Sequence, residues 1–527
     1  MNNPSKKVNS ICNKPKLISI NLFLLSCCIY ILTSNGNCDF WADVSYMRGE
    51  VVKSIIEKGD LSVPSGTGIR GSDGKDYSWF GIGSALISLP LYVSGKIIGI
   101  SQPDKLLYVV NPIISAATLV LIFRFCLSLG YSIRASFFTS LLYGFATFAW
   151  RFSKDPGDHA LETFFILFSV YCTYLYSTKK LRRWILLSGI FIGIACIVRP
   201  TSLLVLPSLL LMLFIAFWNG NNFNDTARKI ARAGVLFSLA FLPFALINLW
   251  YNYYRFGSLF ESGYTLMAAR SGVSYFSNTS ILEGLKGFLI SPGKGFFYYS
   301  PVTILFFFTI RSFFRRNIAV AACFLSLVIT YLALFSKYLY WHGDCTWGPR
   351  YIFLITPYLI IPITELFTNK SFHKKHVCRT ILYLLFVVSL SVQVLSISVH
   401  NQKYFVYLFE KGVKFTSTKG NGIQTIFVPA SETYNNWRLS PILVESVLFS
   451  EMIKDIRDYQ YVKSPEKSSL MDKIKASAYM HVFDFWFIYT YFIYKSITGF
   501  ILALALLLLS IFIAFRLKRL LADEGPQ

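Results

Sequence analysis

The sequence predicts an all-α protein that crosses a membrane many times. Of its 527 residues, 54% are hydrophobic and 15% are charged, whereas an average soluble protein has about 25% charged residues. Apolar runs of roughly 16–22 residues recur along the chain, and each is long enough to cross a hydrocarbon core about 30 Å thick. Alternating apolar and polar residues, which would indicate the strands of a β-barrel, are absent from the sequence.

The positive charges of the chain indicate which loops face the cytoplasm. The net charge is +24, and the Lys and Arg residues lie in short clusters between the apolar runs. This distribution follows the positive-inside rule, so it favours membrane orientation over a nucleic-acid partner. All the clusters fall inside only if the run 79–100, which glycine and proline residues interrupt, lies in the membrane interface.

The resulting topology has about twelve crossings, with both ends of the chain in the cytoplasm. The predicted crossings are 17–33, 106–124, 135–150, 160–177, 184–198, 201–218, 234–253, 297–310, 318–336, 351–367, 380–399 and 495–515. The predicted regions are a cytoplasmic N-terminus (1–16), a transmembrane catalytic module (17–399), an external segment that caps the membrane (400–494), and the last crossing with a cytoplasmic tail (495–527). The external loops of the transmembrane module are 35–105, which contains an interfacial helix at 44–58, and 151–159, 254–296 and 337–350.

Acidic side chains in the predicted external loops are candidates for a general base. The polar stretch 37–77 contains Asp39 and Asp43, and Asp158 precedes the apolar run that begins at Ala160. A carboxylate beside an acceptor hydroxyl can take up its proton. The alternatives are a solvated loop acid for Asp43 and a helix N-cap for Asp158.

Basic and aromatic side chains on the same predicted face are candidates for substrate binding. Lys294 lies in a glycine-flanked turn that can approach a phosphate closely, and Arg350 can pair with two phosphate oxygens. Trp341 and Trp347 offer flat faces for a sugar ring, or they belong to an interfacial aromatic belt. The alternatives for the two cations are a snorkelling lysine and a helix-flanking arginine. A carboxylate base with a cationic phosphate clamp predicts group transfer from a phosphate-activated donor.

The sequence contains no pattern that is typical of a metal site. Its ten cysteines include no CxxC pair and no Cys/His spacing of that kind. His159 and His342 are interpreted as hydrogen-bonding surface residues. No cofactor is required by these patterns, and a role for a divalent metal ion stays open.

Seven short motifs, in order along the chain, resemble those of one family. They lie between residues 42 and 351 and read ADVSYMRGEVVKSIIEKGDL, GSDGKDYSWFGIGSALISLPLY, FSKDPGDHALETFFILF, IVRPTSLLVLP, RFGSLFESGY, SPGKGFFYYSP and WHGDCTWGPRY. Together they resemble the integral-membrane glycosyltransferases of the GT-C fold. The most similar branch uses phospholipid carriers and includes protein O-mannosyltransferases and lipid A aminoarabinose transferase.

The resemblance implies a sugar transferase of the inner or plasma membrane, with its active site on the extracytoplasmic side. The donor would be a hexose or pentose linked to a polyprenyl phosphate. The acceptor would be a lipid, a glycan of the cell envelope or a protein. Transfer would invert the anomeric centre, with Asp43 as the base, Asp39 as its substitute and Asp158 as the second acid.

The resemblance also implies which residues contact the substrate. Lys294 and Arg350 would contact the phosphate of the donor. Arg255 and Tyr264, in the RFGSLFESGY motif, would be further substrate contacts. Lys75 stands near the place where many members have Lys-Pro-Pro, so its role as a phosphate ligand stays open.

The chain departs from the family in its first loop. Val44 follows Asp43 where many members have a second acid, so a paired-acid or metal role at this position also stays open. The rival class is a polytopic transporter or lipid flippase, which would place its polar groups near the bilayer midplane and show inverted repeats.

Overall fold

The structure is a computed structural model that describes residues 4–36, 43–218, 220, 222–271, 274–276, 279–368, 376–420, 423–457, 472, 475–477 and 480–522. Within these ranges, nine helical segments are long and apolar enough to cross a membrane. They are Asn13–Leu32, Pro103–Ser128, His159–Lys179, Pro200–Phe217, Phe223–Phe256, Ile318–Ser336, Arg350–Thr368, Arg379–Ser398 and Thr498–Ala522. The prediction of a polytopic helical membrane protein is confirmed.

The individual helices have the following bounds. The α-helices are α1 Pro4–Leu32, α2 Asp43–Glu57, α3 Gly83–Ile98, α4 Val110–Ser128, α5 Ile133–Ala146, α6 Ala149–Lys154, α7 His159–Lys179, α8 Arg182–Val198, α9 Leu206–Phe217, α10 Phe223–Phe256, α11 Gly263–Ser271, α12 Ile281–Ile290, α13 Phe296–Tyr299, α14 Phe306–Arg316, α15 Ile318–Ser336, α16 Thr356–Ile360, α17 Thr364–Thr368, α18 His376–Ser398, α19 Asn401–Glu410, α20 Pro441–Asp455, α21 Trp486–Tyr494 and α22 Thr498–Ala522. The 3-10 helices are Pro103–Val109, Pro200–Val205, Pro301–Leu305, Arg350–Ile355, Ile361–Ile363, Ser431–Asn435 and Trp437–Leu439.

The three predicted crossings beyond these nine segments coincide with shorter or broken helices. The run 135–150 corresponds to α5, which has 14 residues, and 184–198 to α8, which has 17. The run 297–310 falls on α13, a 3-10 turn and α14. The run 79–100 contains α3, whose 16 residues span only about 24 Å at 1.5 Å per residue. This length is short of a full crossing, as expected for an interfacial helix.

Strands occupy little of the described chain. In the first loop, β1 (Ser62–Val63), β2 (Ile69–Arg70) and β3 (Asp76–Tyr77) form a small antiparallel sheet in the order β1-β3-β2. In the C-terminal segment, β4 (Phe415–Gly420) pairs with β5 (Ile423–Pro429) as an antiparallel hairpin. These strands belong to the segments that connect the membrane helices.

One end of the helix bundle collects the loops that the sequence predicts to be external. We call it the site face and define it by the C-terminal end of α1 and the N-terminal end of α7. Hydrogen bonds join elements that are distant in sequence at this end. The indole Nε1 of Trp486 donates to the carbonyl of Ile31 at 3.0 Å. The ammonium of Lys154 donates to the carbonyl of Ile397 at 2.7 Å. The C-terminal segment is thereby fastened to this end of the bundle.

The other end of the bundle, which we call the opposite face, carries most of the basic clusters. The guanidinium of Arg134 donates to the carbonyl of Leu521 at 3.1 Å, which joins α5 to α22. Arg316 lies 3.9 Å from Glu365, which joins α14 to α17. The ends of α7, α8, α10, α14 and α22 at this face carry the clusters 179–183, 228–232, 311–316 and 516–519. The basic clusters and the site face are therefore separated along the bundle axis.

Helix α10 packs closely against α8 through glycines. A Cβ atom on Gly193 would overlap the ring of Phe244, and one on Gly189 would overlap the carbonyl of Phe237. Only a residue without a side chain permits this approach at either position. The contact fixes the C-terminal end of α10, where Arg255 lies, at the site face.

Candidate functional site

Asp158 is the centre of a buried polar group at the site face. It stands directly before α7 and is 4% exposed. Its Oδ1 accepts a hydrogen bond from Nη2 of Arg48 at 3.0 Å and another from the hydroxyl of Ser84. Asp158 occupies the N-cap position, but its side chain makes no capping hydrogen bond within the described chain. The carboxylate therefore holds α2 and α3 rather than the first turn of α7.

Close backbone approaches bring Ser84 to Asp158. A Cβ atom on Gly81 would overlap the carbonyl of Ile197, and one on Gly83 would lie 2.6 Å from the backbone nitrogen of Val198. Glycine at these two positions lets the start of α3 lie directly on the end of α8. The glycines that interrupt the 79–100 run thus serve the packing of the site.

The turn before Asp158 is held from a third side by Asn111. The amide of Asn111, at the start of α4, donates to the carbonyls of Asp155 and Gly157, the latter at 2.8 Å. The Asp155 carboxylate accepts the Gly157 N–H at 2.9 Å, which closes the turn locally. The Asp-Pro-Gly-Asp turn is therefore fixed by side chains on both of its flanks.

Glu162, which the sequence analysis missed, lies one helical turn beyond Asp158. Its carboxylate accepts bonds from Arg199 at 3.0 Å and from Thr201 at 3.1 Å, and it is 3% exposed. Nη1 of Arg199 also lies 2.8 Å from Nδ1 of His159. The signal for this site was the spacing of four between two acids, which places them on one helix face. The Arg-Pro-Thr-Ser break is thus a carboxylate-binding turn.

Tyr264 and Arg350 approach this group from two further loops. Tyr264 packs edge-on against Phe80 at 6.2 Å and lies within electrostatic range of Asp158. Nη2 of Arg350 donates to the hydroxyl of Tyr351 at 3.0 Å, and the ring of Tyr351 lies 6.2 Å from that of His159. Two of the predicted substrate contacts therefore lie near Asp158.

Arg350 keeps part of its hydrogen-bonding capacity. Its Nη2 lies 3.2 Å from the carboxylate of Asp344, while its buried Nε has no partner among the described residues. Gly343, with φ of +66°, leaves room for the side chain, because a Cβ there would lie 2.8 Å from Cγ of Arg350. The guanidinium is oriented by an acid and still offers a donor.

Lys294 is engaged differently from the prediction of a phosphate contact. It is fully buried, and its ammonium donates to the carbonyls of Asp344 at 2.8 Å, Thr346 at 2.5 Å and Gly348 at 3.4 Å. Burial lowers the pKa of this ammonium to about 7. All three of its hydrogens are used, so in this structure Lys294 braces the loop that leads to Arg350. Its contact with a phosphate stays a prediction.

Arg255 likewise braces a loop. Its guanidinium donates to the carbonyls of Tyr251 and Ser78 and to the side chain of Asn252, and it stacks on the Tyr251 ring at 3.6 Å. The bond to Ser78 fixes the segment that precedes α3. Arg255 therefore supports the placement of Ser84, and its predicted phosphate contact stays a prediction.

Lys75 lies in the small sheet of the first loop. Its ammonium pairs with Asp60 at 2.9 Å, and its side chain is 52% exposed. Asp60 also accepts the hydroxyls of Ser54 and Ser62, so this cluster connects α2 to β1. The observed contacts of Lys75 fasten the first loop, and its role as a phosphate ligand stays a prediction.

The predicted acids of the first loop are only partly covered by the structure. Asp39 lies outside the described residues. Asp43 is the first residue of α2, and its side chain also lies outside the described part. Position 43 is five residues before Arg48 on the same helix, so the Asp158–Arg48 ion pair also fixes the position of the Asp43 backbone.

Trp341 and Trp347 are buried, at 1% and 2% exposure. The Trp341 ring packs edge-on against Phe288 at 5.8 Å, and a Cβ on Gly287 would overlap it. The Trp347 ring packs edge-on against Tyr299 at 5.0 Å. Protein covers both rings in this structure, so they stiffen the loop 337–350, and a contact with sugar stays a prediction.

His342 is buried beside Lys294 rather than exposed at a surface. The ring stacks on Tyr434 at 4.9 Å, and its Nδ1 accepts the backbone N–H of Asp344 at 3.2 Å. Burial lowers the pKa of His342 to about 4, and the Lys294 and Arg350 charges add to this while Asp344 opposes it. The expectation of a surface histidine is therefore wrong, because the loop folds under the C-terminal segment.

Acidification is expected to destabilise the protein through His342. The folded imidazole stays neutral down to pH about 4, whereas an unfolded one binds a proton below about 6.5. Because the unfolded state binds more protons in this window, the free energy of unfolding falls by up to about 3 kcal/mol as the pH falls through it. Thermal unfolding in micelles should show a weaker pH dependence for His342→Gln than for the wild type. Equal slopes would contradict the assignment.

No group of three or more His, Cys, Asp or Glu side chains that could hold a metal ion occurs in the described part of the chain. The acids of the site are instead paired with arginines. Arg48 pairs with Asp158, Arg199 with Glu162, and Arg350 with Asp344, each at 3.0–3.2 Å.

The comparisons with known proteins point to one fold. Residues 94–250 match the profile of the dolichyl-phosphate-mannose-protein mannosyltransferase family. No curated protein sequence matches the chain. The oligosaccharyltransferase of Archaeoglobus fulgidus in its apo form aligns with a TM-score of 0.50 and 13% identity, over 88% of this chain and 64% of that chain.

Two further structures align with the chain. The same oligosaccharyltransferase in complex with Zn and sulfate gives a TM-score of 0.51 and 14% identity, over 88% of this chain and 61% of that one. ArnT from Cupriavidus metallidurans, bound to undecaprenyl phosphate, aligns with a TM-score of 0.46 and 11% identity, over 95% of this chain and 77% of that one. The chain thus spans less than two thirds of the oligosaccharyltransferase. It has the polytopic helical fold of the GT-C glycosyltransferases, and its segment 94–250 matches the mannosyltransferase family.

Proposed function

We propose that this protein is a glycosyltransferase that moves one sugar from a polyprenyl-phosphate-linked donor to an acceptor hydroxyl. The observation that carries the proposal is the convergence of acids and arginines from four distant elements at the site face. Asp158, Glu162, Arg48, Arg199 and Arg350 come from α2, α7, the turn after α8 and the start of the 350–368 segment. A scaffold protein would gain nothing from burying so many charges at one end of its bundle.

In the proposed reaction, the acceptor hydroxyl attacks the anomeric carbon while Asp43 takes up its proton. The bond from the anomeric carbon to the phosphate oxygen breaks as the new glycosidic bond forms, so the configuration inverts. The polyprenyl phosphate leaves with the electron pair, and the protonated Asp43 releases its proton to water. Asp158 acts on this step by holding Arg48, and with it α2, in place.

Cations at the site face support this assignment because they oppose the charge that develops on the leaving phosphate. Arg350 lies at the edge of the buried group and keeps Nε without a partner among the described residues. Preorganised cations in a site that excludes water contribute more to a transition state than they would in bulk water.

The charge distribution supports an extracytoplasmic active site. Cytoplasmic loops of membrane proteins carry an excess of Lys and Arg, and the clusters 179–183, 228–232, 311–316 and 516–519 lie at the opposite face. The site face would then look outwards from a cell membrane, where lipid, glycan and protein acceptors of the cell envelope are available.

Replacing Asp43 with Asn is expected to lower sugar transfer by between about 10²-fold and 10⁴-fold, because a general base contributes that much. The measurement is transfer of radiolabelled sugar from a panel of polyprenyl-phosphate donors by purified protein, with crude membranes as the source of acceptors. Asp39→Asn tests the substitute base. Asp225→Asn is the matched control, since Asp225 lies at the opposite face in an exposed pair with Lys229.

The outcomes of this assay separate the candidates. A wild-type rate for Asp43→Asn would assign the base to Asp39 or Asp158. If the wild type transfers no sugar from any donor and sealed vesicles take up a solute instead, the proposed glycosyltransferase function is wrong and a transporter function replaces it.

A further inference from the structure

Two basic clusters at the opposite face lie in a part of the chain that has a single acidic residue. The first cluster ends α7 and begins α8, and the second lies near the start of α10. Asp225 is the only acid between Glu162 and Glu261. We call the two clusters together the basic patch, and its members are Lys179, Lys180, Arg182, Arg183, Arg228, Lys229 and Arg232. Among the described residues, the one ion pair of the patch joins Lys229 to Asp225 at 2.5 Å, so most of its charge is not neutralised by the described chain.

Packing between helix ends brings the two clusters together. Ile185 of α8, Phe217 of α9 and Ala233 of α10 belong to one buried apolar cluster. The hydroxyl of Thr226 donates to the carbonyl of Phe217 at 3.3 Å, which fastens the start of α10 to the end of α9. The ammonium of Lys180 lies 3.9 Å from the centre of the Phe217 ring. The end of α7 and the start of α10 therefore meet around the same phenylalanine, and their cations form one surface.

Lys180 shows that the basic patch holds like charges close to one another. Partial burial, followed by the charge of Lys229, lowers the pKa of the Lys180 ammonium. Lys180 also ends α7 in the left-handed conformation, with φ of +56°, which glycine adopts at a lower cost. Cations that are held together repel one another, and a bound anion relieves this repulsion. The patch is therefore a surface that favours an anion.

One face of α10 carries cations at one end and apolar side chains along the rest. Arg228 and Arg232 precede an apolar stripe on this face, at spacings of three or four residues. The stripe consists of Val235, Leu239, Leu242 and Leu246, whose exposed fractions are 50–61%. The rise from Arg232 to Leu242 is about 15 Å at 1.5 Å per residue, which is half of a hydrocarbon core of about 30 Å. Cations above one leaflet's depth of exposed apolar side chains match a phospholipid better than a free ion.

We propose that the basic patch binds the anionic headgroup of a phospholipid whose acyl chains lie along the exposed stripe of α10. Arg228 and Arg232 donate to the phosphate oxygens, as guanidinium groups do, and Lys180 adds its charge from the end of α7. Phosphatidylglycerol has a net negative charge, whereas the choline cation of phosphatidylcholine cancels the charge of its phosphate. The patch therefore distinguishes the two lipids by charge. It lies at the other end of the bundle from Asp158, so the inference does not depend on the proposed sugar transfer.

The test removes three charges of the basic patch from the full-length protein by combining Lys180→Gln, Arg228→Gln and Arg232→Gln. Lys229 is left unchanged, so its pair with Asp225 is kept. Native mass spectrometry in detergent micelles measures the binding of dioleoyl phosphatidylglycerol and dioleoyl phosphatidylcholine, which differ only in their headgroups. Each Lys or Arg near an anionic lipid strengthens binding about fivefold. We expect the triple variant to bind phosphatidylglycerol between about tenfold and a hundredfold more weakly, with unchanged binding of phosphatidylcholine.

The matched control removes three charges from another helix end at the same face. Arg516→Gln, Lys518→Gln and Arg519→Gln change exposed side chains near the end of α22. We expect this control to keep the lipid affinities of the wild type. Phosphatidylglycerol should also raise the unfolding temperature of the wild type and of the control, because a ligand that binds the folded state stabilises it.

A single substitution keeps the proposal testable if the triple variant does not fold. Arg232→Glu reverses the charge of one exposed side chain and should weaken phosphatidylglycerol binding about tenfold or more. Wild-type affinity for phosphatidylglycerol in the folded variants would overturn the proposal, as would equal losses in the triple variant and the α22 control. Equal affinities of the wild type for the two lipids would also overturn it. If inorganic phosphate at millimolar concentration displaced phosphatidylglycerol from the wild type, the patch would bind a free anion and the lipid would be the wrong occupant.

Discussion

Asp158→Ala is expected to unfold at a markedly lower temperature than the wild type and to lose sugar transfer by at least about a hundredfold. The substitution leaves the Arg48 guanidinium, whose side chain is 2% exposed, without its carboxylate. Removing one partner of a buried ion pair typically destabilises a protein by about 3–5 kcal/mol. It also frees α2 from α7, so position 43 loses its fixed distance from the site.

A double variant separates the two effects of this substitution. Arg48→Met combined with Asp158→Leu replaces the ion pair with apolar side chains of similar size, which is often neutral for stability. We expect it to recover most of the unfolding temperature and to remain inactive. If Asp158→Ala unfolded at the temperature of the wild type, the pair would contribute little to stability. If the double variant were active, the pair would have no role in the reaction.

Lys154→Met is expected to destabilise the protein about as much as Asp158→Ala. Lys154 and Asp484 form an ion pair at 2.7 Å with 1% and 0% side-chain exposure. The Lys154 ammonium also donates to the carbonyls of Ile397 and Asp484. Without it, the carboxylate of Asp484 remains in the protein interior with Arg151 at 3.8 Å as its nearest cation. The expected destabilisation is about 3–5 kcal/mol.

The control for this prediction is Lys229→Met, which breaks a pair with Asp225 whose side chains are 48% and 37% exposed. Exposed pairs of this kind contribute about 0–1 kcal/mol. Thermal unfolding in one detergent and limited proteolysis of the segment after α18 measure both variants. Similar unfolding temperatures for the two would mean that the Lys154–Asp484 pair does not hold the C-terminal segment. Asp484→Asn in the Lys154→Met background should restore part of the loss, because it removes the unpaired charge.

The fold could be predicted because hydropathy alone sets the length and number of membrane helices. The twelve predicted crossings all fall on helices, and nine of those segments are long and apolar enough to cross. The resemblance to GT-C proteins, which rested on short motifs, is confirmed by the comparisons. Asp158 was a candidate because an acid in a predicted external turn can serve as a base, and its role in catalysis stays a prediction.

The pairings within the site could not be predicted in the same way. Arg48 and Asp158 are 110 positions apart, and nothing in either local pattern identifies the other. Arg48 looks like a solvated residue of an interfacial helix, and the aromatic sequence around Asp484 gives no sign of its pairing with Lys154. Lys294 looked like a phosphate ligand because its neighbours are glycines. The structure instead turns the carbonyls of 344–348 toward it, which depends on packing between loops distant in sequence.

The separation of Lys154 from Asp484 along the chain has a consequence for biosynthesis. The ammonium of Lys154 donates to the carbonyl of Asp484, 330 positions later. While a ribosome is still making the later helices, the turn that carries Asp158 therefore lacks one of its buried partners. Insertion of the helices and completion of the site are then separate events. A chain released from the ribosome before position 484 would span the membrane with an unfinished site, in which Lys154 lacks the carboxylate of Asp484.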